Sequence, residues 1–166
     1  MSFAETIIST WHDCFKQHII FEYEKDKNII VDNIHQKNSL IISNCQHTNF
    51  TVTKKINHIL IEHCDNISIN INNGTISGLD IIHSSDITTN ININPVYFVS
   101  FSSSFDINNN IDSFVALNTI FSSLNSSNLF YKLPHINKTF SPLLPLFNNY
   151  TLMCFSKDNG FKLLQT

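Results

Sequence analysis

Arginine is absent from this 166-residue chain; all ten of its cationic residues are lysine. Bidentate guanidinium contacts dominate recognition of phosphate and nucleic acid, so their absence argues against a nucleic-acid partner. It also removes any mechanism that rests on an arginine finger. Glycine is nearly as scarce, with three residues, and proline has four. Neither a glycine-rich phosphate loop nor a Gly-x-Ser-x-Gly nucleophile turn occurs, so nucleotide-cradling and triad-hydrolase readings fall away. Only 14% of residues are charged, the net charge is −3, and the acids are scattered. A glycoside-cleaving site would need paired carboxylates. Cys14, Cys45, Cys64 and Cys154 lack Cys-x-x-Cys spacing, which points to thiols in a reducing compartment. No apolar run approaches the roughly 18 residues that span a bilayer. Met1-Ser-Phe-Ala-Glu-Thr6 has no basic region followed by an apolar one, so no signal peptide is expected. The expectation is a cytoplasmic protein that is not an enzyme, with no cofactor, no catalytic residue, no nucleic-acid partner and no membrane association.

What the chain does contain is a period. Asn38-Ser-Leu-Ile-Ile-Ser-Asn-Cys45, Asn57-His-Ile-Leu-Ile-Glu-His-Cys64 and Ser77-Gly-Leu-Asp-Ile-Ile-His-Ser84 align, with Cys45, Cys64 and Ser84 in one column. Pro95-Val-Tyr-Phe-Val-Ser-Phe-Ser102 reads as a weaker copy. Self-similarity at about nineteen residues marks a repeat architecture whose units cannot bury an apolar face alone. Inside each period apolar residues alternate in two bursts. The first carries Leu40 and Ile42, Ile59 and Ile61, Leu79 and Ile81, then Tyr97 and Val99. The second carries Phe50 and Val52, then Ile67, Ile69 and Ile71, then Ile87 and Ile91, then Phe105 and Ile107. Alternation is the mark of a half-buried strand, and β-branched residues suit a pleated surface. The fold class expected is all-β: a right-handed parallel β-helix of about 19-residue coils, stacked at the strand spacing of about 4.8 Å.

Corner residues agree. Asn44, Asp65 with Asn66, and Ser85 with Asp86 sit where the chain must turn, and Gly74 and Gly78 bracket a further turn. Three parts follow within one domain: an N-terminal extension over 1–21 with a short helix near Phe3–Phe15, coils over 22–147, and a C-terminal hairpin over 148–166. In that hairpin Tyr150–Phe155 and Gly160–Leu164 flank the turn Lys157-Asp-Asn-Gly160. The hairpin either covers the end of the coil or reaches to another subunit.

The segment Lys54-Lys-Ile-Asn-His-Ile-Leu-Ile-Glu-His-Cys-Asp-Asn-Ile-Ser-Ile-Asn-Ile71 resembles the C-terminal domain of cyclase-associated protein. Glu22 with Ile29-Ile-Val-Asp32 resembles that family's opening strand, Cys45 the cysteine of the preceding coil, and Pro95 the proline that opens a later coil. The segment 141–147 and the final hairpin resemble its ending, so the likeness runs over about 22–166. Asp65-Asn66 stands where the family has a lysine corner. The resemblance, to a minimal single-domain form of the sort found in apicomplexan parasites, implies a β-helix that binds monomeric actin. It further implies sequestration of the monomer or exchange of its ADP for ATP, and a homodimer formed by swapping hairpins. The coil also resembles the tubulin-folding cofactor C domain, a GTPase activator, but that activity needs the missing arginine. A β-helix module for some other protein partner is the third reading.

Candidate residues follow from both lines. The resemblance makes Lys54, Lys55, Asn57, Glu62, His63, His83, Lys157 and Lys162 candidates for contacting actin, against the plain reading of solvated turns. Tyr150, Leu152, Cys154, Phe155, Phe161, Leu163 and Leu164 are candidates for the dimer interface. His63 and His83 share a column one coil apart, as a metal or pH-sensing pair or as a solvated ladder with Asn44. With no third ligand column, no metal is assigned to them. Cys45 and Cys64 stack as buried thiols or as a disulfide. Phe98 and Phe101 face outward if Tyr97 and Val99 face in, which would mark an interface.

Overall fold

The computed structural model describes residues 18–92, 94, 96–112, 119–133, 137–140, 150–156 and 160–165. The expected helix near Phe3–Phe15, Cys14, Pro95, the segment 141–147 and Lys157 lie outside these residues. Strands alternate between two sheets. Sheet A takes β1 (His18–Glu22), β3 (Ser39–Ser43), β5 (Ile56–Glu62), β7 (Thr75–Ile82), β9 (Phe98–Ser102) and β11 (Ile120–Leu124) in that spatial order. It then adds β14 (Tyr150–Ser156) and β15 (Gly160–Gln165). Sheet B takes β2 (Asn28–Val31), β4 (Gln46–Val52), β6 (Asp65–Ile71), β8 (Ser85–Ile91), β10 (Phe105–Ile111), β12 (Ser127–Leu133) and β13 (Lys138–Phe140). Neighbours within each sheet are parallel from β1 to β12, so the chain is a parallel β-solenoid with two strands per coil.

The alternation explains the core. Leu40, Ile59, Leu79, Val99 and Phe121 form one inward row of sheet A, and Ile42, Ile61, Ile81 and Phe101 form the next. Facing them from sheet B are Thr48, Ile67, Ile87, Ile107 and Leu129, then Val52, Ile71, Ile91 and Ile111. All are essentially inaccessible, and each large apolar side chain so buried stabilises the fold by about 1.5–3 kcal/mol. One inward row turns polar, but Thr89 donates to Asn109 Oδ1 at 2.8 Å, and Asn109 donates to the Phe130 carbonyl at 3.3 Å. Toward the C-terminal end the core becomes aromatic. Phe121, Tyr131 and Phe155 meet edge to face with centroids 4.9–6.1 Å apart.

The corner from sheet A to sheet B repeats one hydrogen-bonded design. The backbone amide of Cys45 donates to Cys64 Sγ at 3.4 Å, that of Cys64 to Ser84 Oγ at 3.1 Å, that of Ser84 to Ser104 Oγ at 3.2 Å, and that of Ser104 to Ser126 Oγ at 3.1 Å. Each thiol or hydroxyl in turn donates to the carbonyl two residues before it. A small polar side chain is therefore required there. The residues flanking this column adopt left-handed backbone: Asn44, His63, His83, Ser103 and Asn125 before it, His47, Asn66, Asp86, Asp106 and Asn128 after it. Asn and Asp tolerate that conformation best, which is why amides and acids crowd these corners.

Spacing along the Cys/Ser column corrects the sequence register. Successive coils measure 19, 20, 20 and 22 residues. A constant period of about nineteen therefore slips at the weaker copy: the column continues at Ser104, not Ser102, and Val99 pairs with Leu79. The slip reverses three assignments. Phe101 is buried at 1% exposure, whereas Tyr97 and Phe105 face out at 54% and 49%. Phe98 stays half-buried on the outer face. Gly78 is not at a turn. It lies inside β7 at an irregularity in the β5–β7 pairing, with φ of +143°, and a Cβ there would meet the Phe98 carbonyl oxygen at 2.6 Å.

Candidate functional site

The two outer faces differ. On sheet B, Asn110 donates to Asn90 Oδ1 at 2.8 Å, Asn90 to Asn70 Oδ1 at 2.8 Å, and Asn70 to Thr51 Oγ1 at 3.5 Å. Asn49 donates to Asn28 Oδ1 in the neighbouring row at 2.8 Å. The polar groups of this face are turned along the solenoid axis toward each other.

The outer face of sheet A is mixed. Ile20, Ile41 and Leu60 form one row, which continues as Asp80 and Ser100. A second row runs Glu22, Ser43, Glu62, Ile82, Ser102 and Leu124. Diagonally across them, His58 Nε2 lies 2.9 Å from Asp80 Oδ2, while Ser100 donates its hydroxyl to Asp80 Oδ1. The His58 contact is the main reason the Asp80 carboxyl titrates below its ordinary range; partial burial opposes the shift and the Ser100 bond adds to it. The His58–Asp80 contact shares this face with the half-buried apolar residues Ile41, Leu60, Ile82 and Phe98.

The candidates read from sequence flank this face. Lys54 and Lys55 are exposed just before β5, and Asn57 donates to Ser39 Oγ at 3.4 Å and accepts from Ser77 Oγ at 2.8 Å. At the far end of β5, Glu62 lies half-buried on the face and His63 is exposed at the corner beside His83. The two groups are separated by the length of one seven-residue strand, about 20 Å. Lys162, Tyr150, Leu152, Phe161, Leu163 and Leu164 lie on the paired strands β14 and β15, and their side chains fall outside the description. Phe155 is buried in the aromatic end of the core together with Met153, and Cys154 is half-buried. His58, Leu60, Asp80 and Ser100 were not singled out by sequence. Leu60 carried a signal, since it alternates with inward Ile59 and Ile61. The His58–Asp80 contact runs diagonally between rows, and no column of the repeat reveals it.

Cys45 and Cys64 are free and buried. Burial pushes the Cys64 thiol up to about 12 and raises that of Cys45 as well, so neither is poised as a nucleophile. Among the described residues no three His, Cys, Asp or Glu side chains converge as a metal cage. None of the described residues forms a helix long and apolar enough to cross a membrane.

Residues 10–126 match the family described as adenylate cyclase associated (CAP) C terminal. Among solved structures the chain is similar to the crystal structure of cyclase-associated protein from Cryptosporidium parvum, with a TM-score of 0.71 at 21% identity. That likeness covers 91% of this chain and 92% of the other and concerns the fold. No curated protein matches the chain.

Proposed function

Because the chain belongs to the CAP C-terminal family, which is associated with binding of actin monomers and not known for enzymes, we propose that it binds monomeric actin. The observation that carries this reading is the family match over residues 10–126. The mixed outer face of sheet A, bounded by Lys54, Lys55 and Asn57 on one side and Glu62, His63 and His83 on the other, supports it as the contact surface. Lysines at its margin suit an acidic partner, and Leu60, Ile82 and Phe98 supply apolar area at its centre.

Such a protein makes and breaks no covalent bond. It accelerates exchange of ADP for ATP by binding the open, nucleotide-free conformation of actin better than the closed one. Equal affinity for both would leave a sequestering protein. Action on cytosolic actin places the protein in the cytoplasm.

The same reading includes a homodimer. In the single chain β14 pairs antiparallel with β11, placing Met153 opposite Phe121. The identical pairing supplied by a second copy would exchange hairpins and hold one actin monomer per subunit. Removing residues 148–166 then yields a particle of about half the mass in light scattering. An unchanged dimer contradicts the exchange.

Release of a fluorescent ATP analogue from monomeric actin tests the main reading. Faster release that saturates with added protein establishes exchange, and slower release establishes sequestration. Unchanged release without co-elution on a sizing column rejects actin and leaves a β-helix module for another protein partner.

A further inference from the structure

Two imidazoles on consecutive coils stand side by side. His63 and His83 follow β5 and β7 at equivalent corners, with φ of +52° and +48°, so equivalent backbone projects both side chains in the same direction. Their rings stack with centroids 5.2 Å apart and planes 11° from parallel. Both residues are exposed. Three of the other described histidines are engaged: His58 with Asp80 at 2.9 Å, His47 with Asp26 at 3.4 Å, and His35, which accepts from the Lys37 amide at 3.3 Å. Among the described residues no hydrogen bond or ion pair engages the imidazole of His63 or His83, whose backbone amides donate to the Ile82 and Ser102 carbonyls. Asn44, at the same corner one coil earlier, donates its amide to Ser43 Oγ. The two histidines make no such local bond, so their nitrogen lone pairs are available.

We propose that His63 and His83 form a two-imidazole site for a transition-metal cation, favouring Cu2+ over Ni2+ and Zn2+ in the usual order of affinity for nitrogen ligands. Two ring nitrogens at about 2.0 Å from one ion stand about 3 Å apart, in the cis positions of a tetragonal Cu2+ site or around a tetrahedral ion. Stacked rings reach that separation by swinging about their Cβ–Cγ bonds, while the parallel strands hold the backbones in place. Asn44 and Ser103 bracket the pair in the same column and are weak ligands, so the protein contributes two donors. Water, or a donor from a bound protein, fills the remaining positions. The site does not depend on the actin reading.

Calorimetric titration of Cu2+ and Ni2+ into the untagged full chain tests this, alongside His63→Asn and His83→Asn. Asparagine holds the equivalent left-handed corners at Asn44 and Asn125, so both variants keep the fold, checked by circular dichroism. The expected result is one tight site per chain, weakened about a hundredfold by either substitution, because a second tethered ligand acts at high effective concentration. His35→Asn and His47→Asn leave it unchanged. Retention of the original affinity by either single variant, or equal losses in all four, overturns the proposal. In NMR spectra, substoichiometric Cu2+ broadens the His63 and His83 ring signals together. Broadening of one alone, or spread over His18, His35 and His47, also overturns it.

Discussion

The outer faces of the two sheets have nearly the same backbone and opposite chemistry. On sheet B, Asn70, Asn90 and Asn110 stack in one row and satisfy one another along the axis. On sheet A, the equivalent row runs Ile20, Ile41 and Leu60 and then changes character to Asp80 and Ser100. A repeat that stacks like on like lets polar groups serve cohesion. A row that changes breaks the ladder, leaves apolar area half-exposed, and confines one ion pair to its middle. Stacking alone does not require the second pattern, which is the reason the proposed partner surface is on sheet A.

Four measurements can break or sharpen this contrast. The largest effect is expected at Gly78, the irregularity peculiar to sheet A. Gly78→Ala places a Cβ against the Phe98 carbonyl at a φ that side chains rarely adopt, and should destabilise the fold by about 3 kcal/mol in denaturant unfolding. Next comes recognition. Leu60→Glu, or Lys54→Glu with Lys55→Glu, should weaken actin binding about tenfold or more, equivalent to about 1.4 kcal/mol, with unchanged circular dichroism. Equal weakening by Asn70→Asp on the opposite face would refute the assignment. On sheet B, Asn90→Ala removes two ladder bonds and should cost about 1–2 kcal/mol in thermal melts while sparing actin binding.

The smallest effect concerns Asp80. A carboxyl held below its ordinary range adds stability that is complete above the unfolded value near 4 and disappears as pH falls through the lower folded value. The stability gap between the native chain and Asp80→Asn should thus be present near pH 5 and close below about pH 4. It should not exceed about 1 kcal/mol, because His58 and Asp80 remain 26% and 32% exposed. A gap that widened on acidification would contradict the pairing.

Most of the coil was legible in the chain. Leu40, Ile42, Ile59, Ile61, Ile67, Ile69, Ile71, Ile87 and Ile91 all face inward as their alternation predicts. The Cys45–Cys64–Ser84 column is real, and its cause is the amide-to-side-chain bond that each member accepts from the coil before or provides to the next. Legibility failed where a coil gained residues. The residue added on going from β5 to β7 is absorbed as the irregularity at Gly78 without disturbing the core, yet such an addition displaces every later position of a fixed-period alignment. Phe101, Tyr97 and Phe105 were misplaced for that reason alone.

Residue pattern by itself determined the stacked two-strand coil, the inward rows, the left-handed corners and the exclusion of arginine chemistry. Each of these is a property of one strand or one turn, decided by alternation, by tolerance of positive φ, or by composition. Tertiary structure alone decided which outward residues meet. His58 reaches Asp80 across 22 positions and β14 turns antiparallel onto β11, whereas the stacking of His63 on His83 follows the repeat column. Those encounters depend on register between coils. Register is set by how many residues each corner or strand irregularity absorbs, a quantity that hydrophobic alternation does not encode.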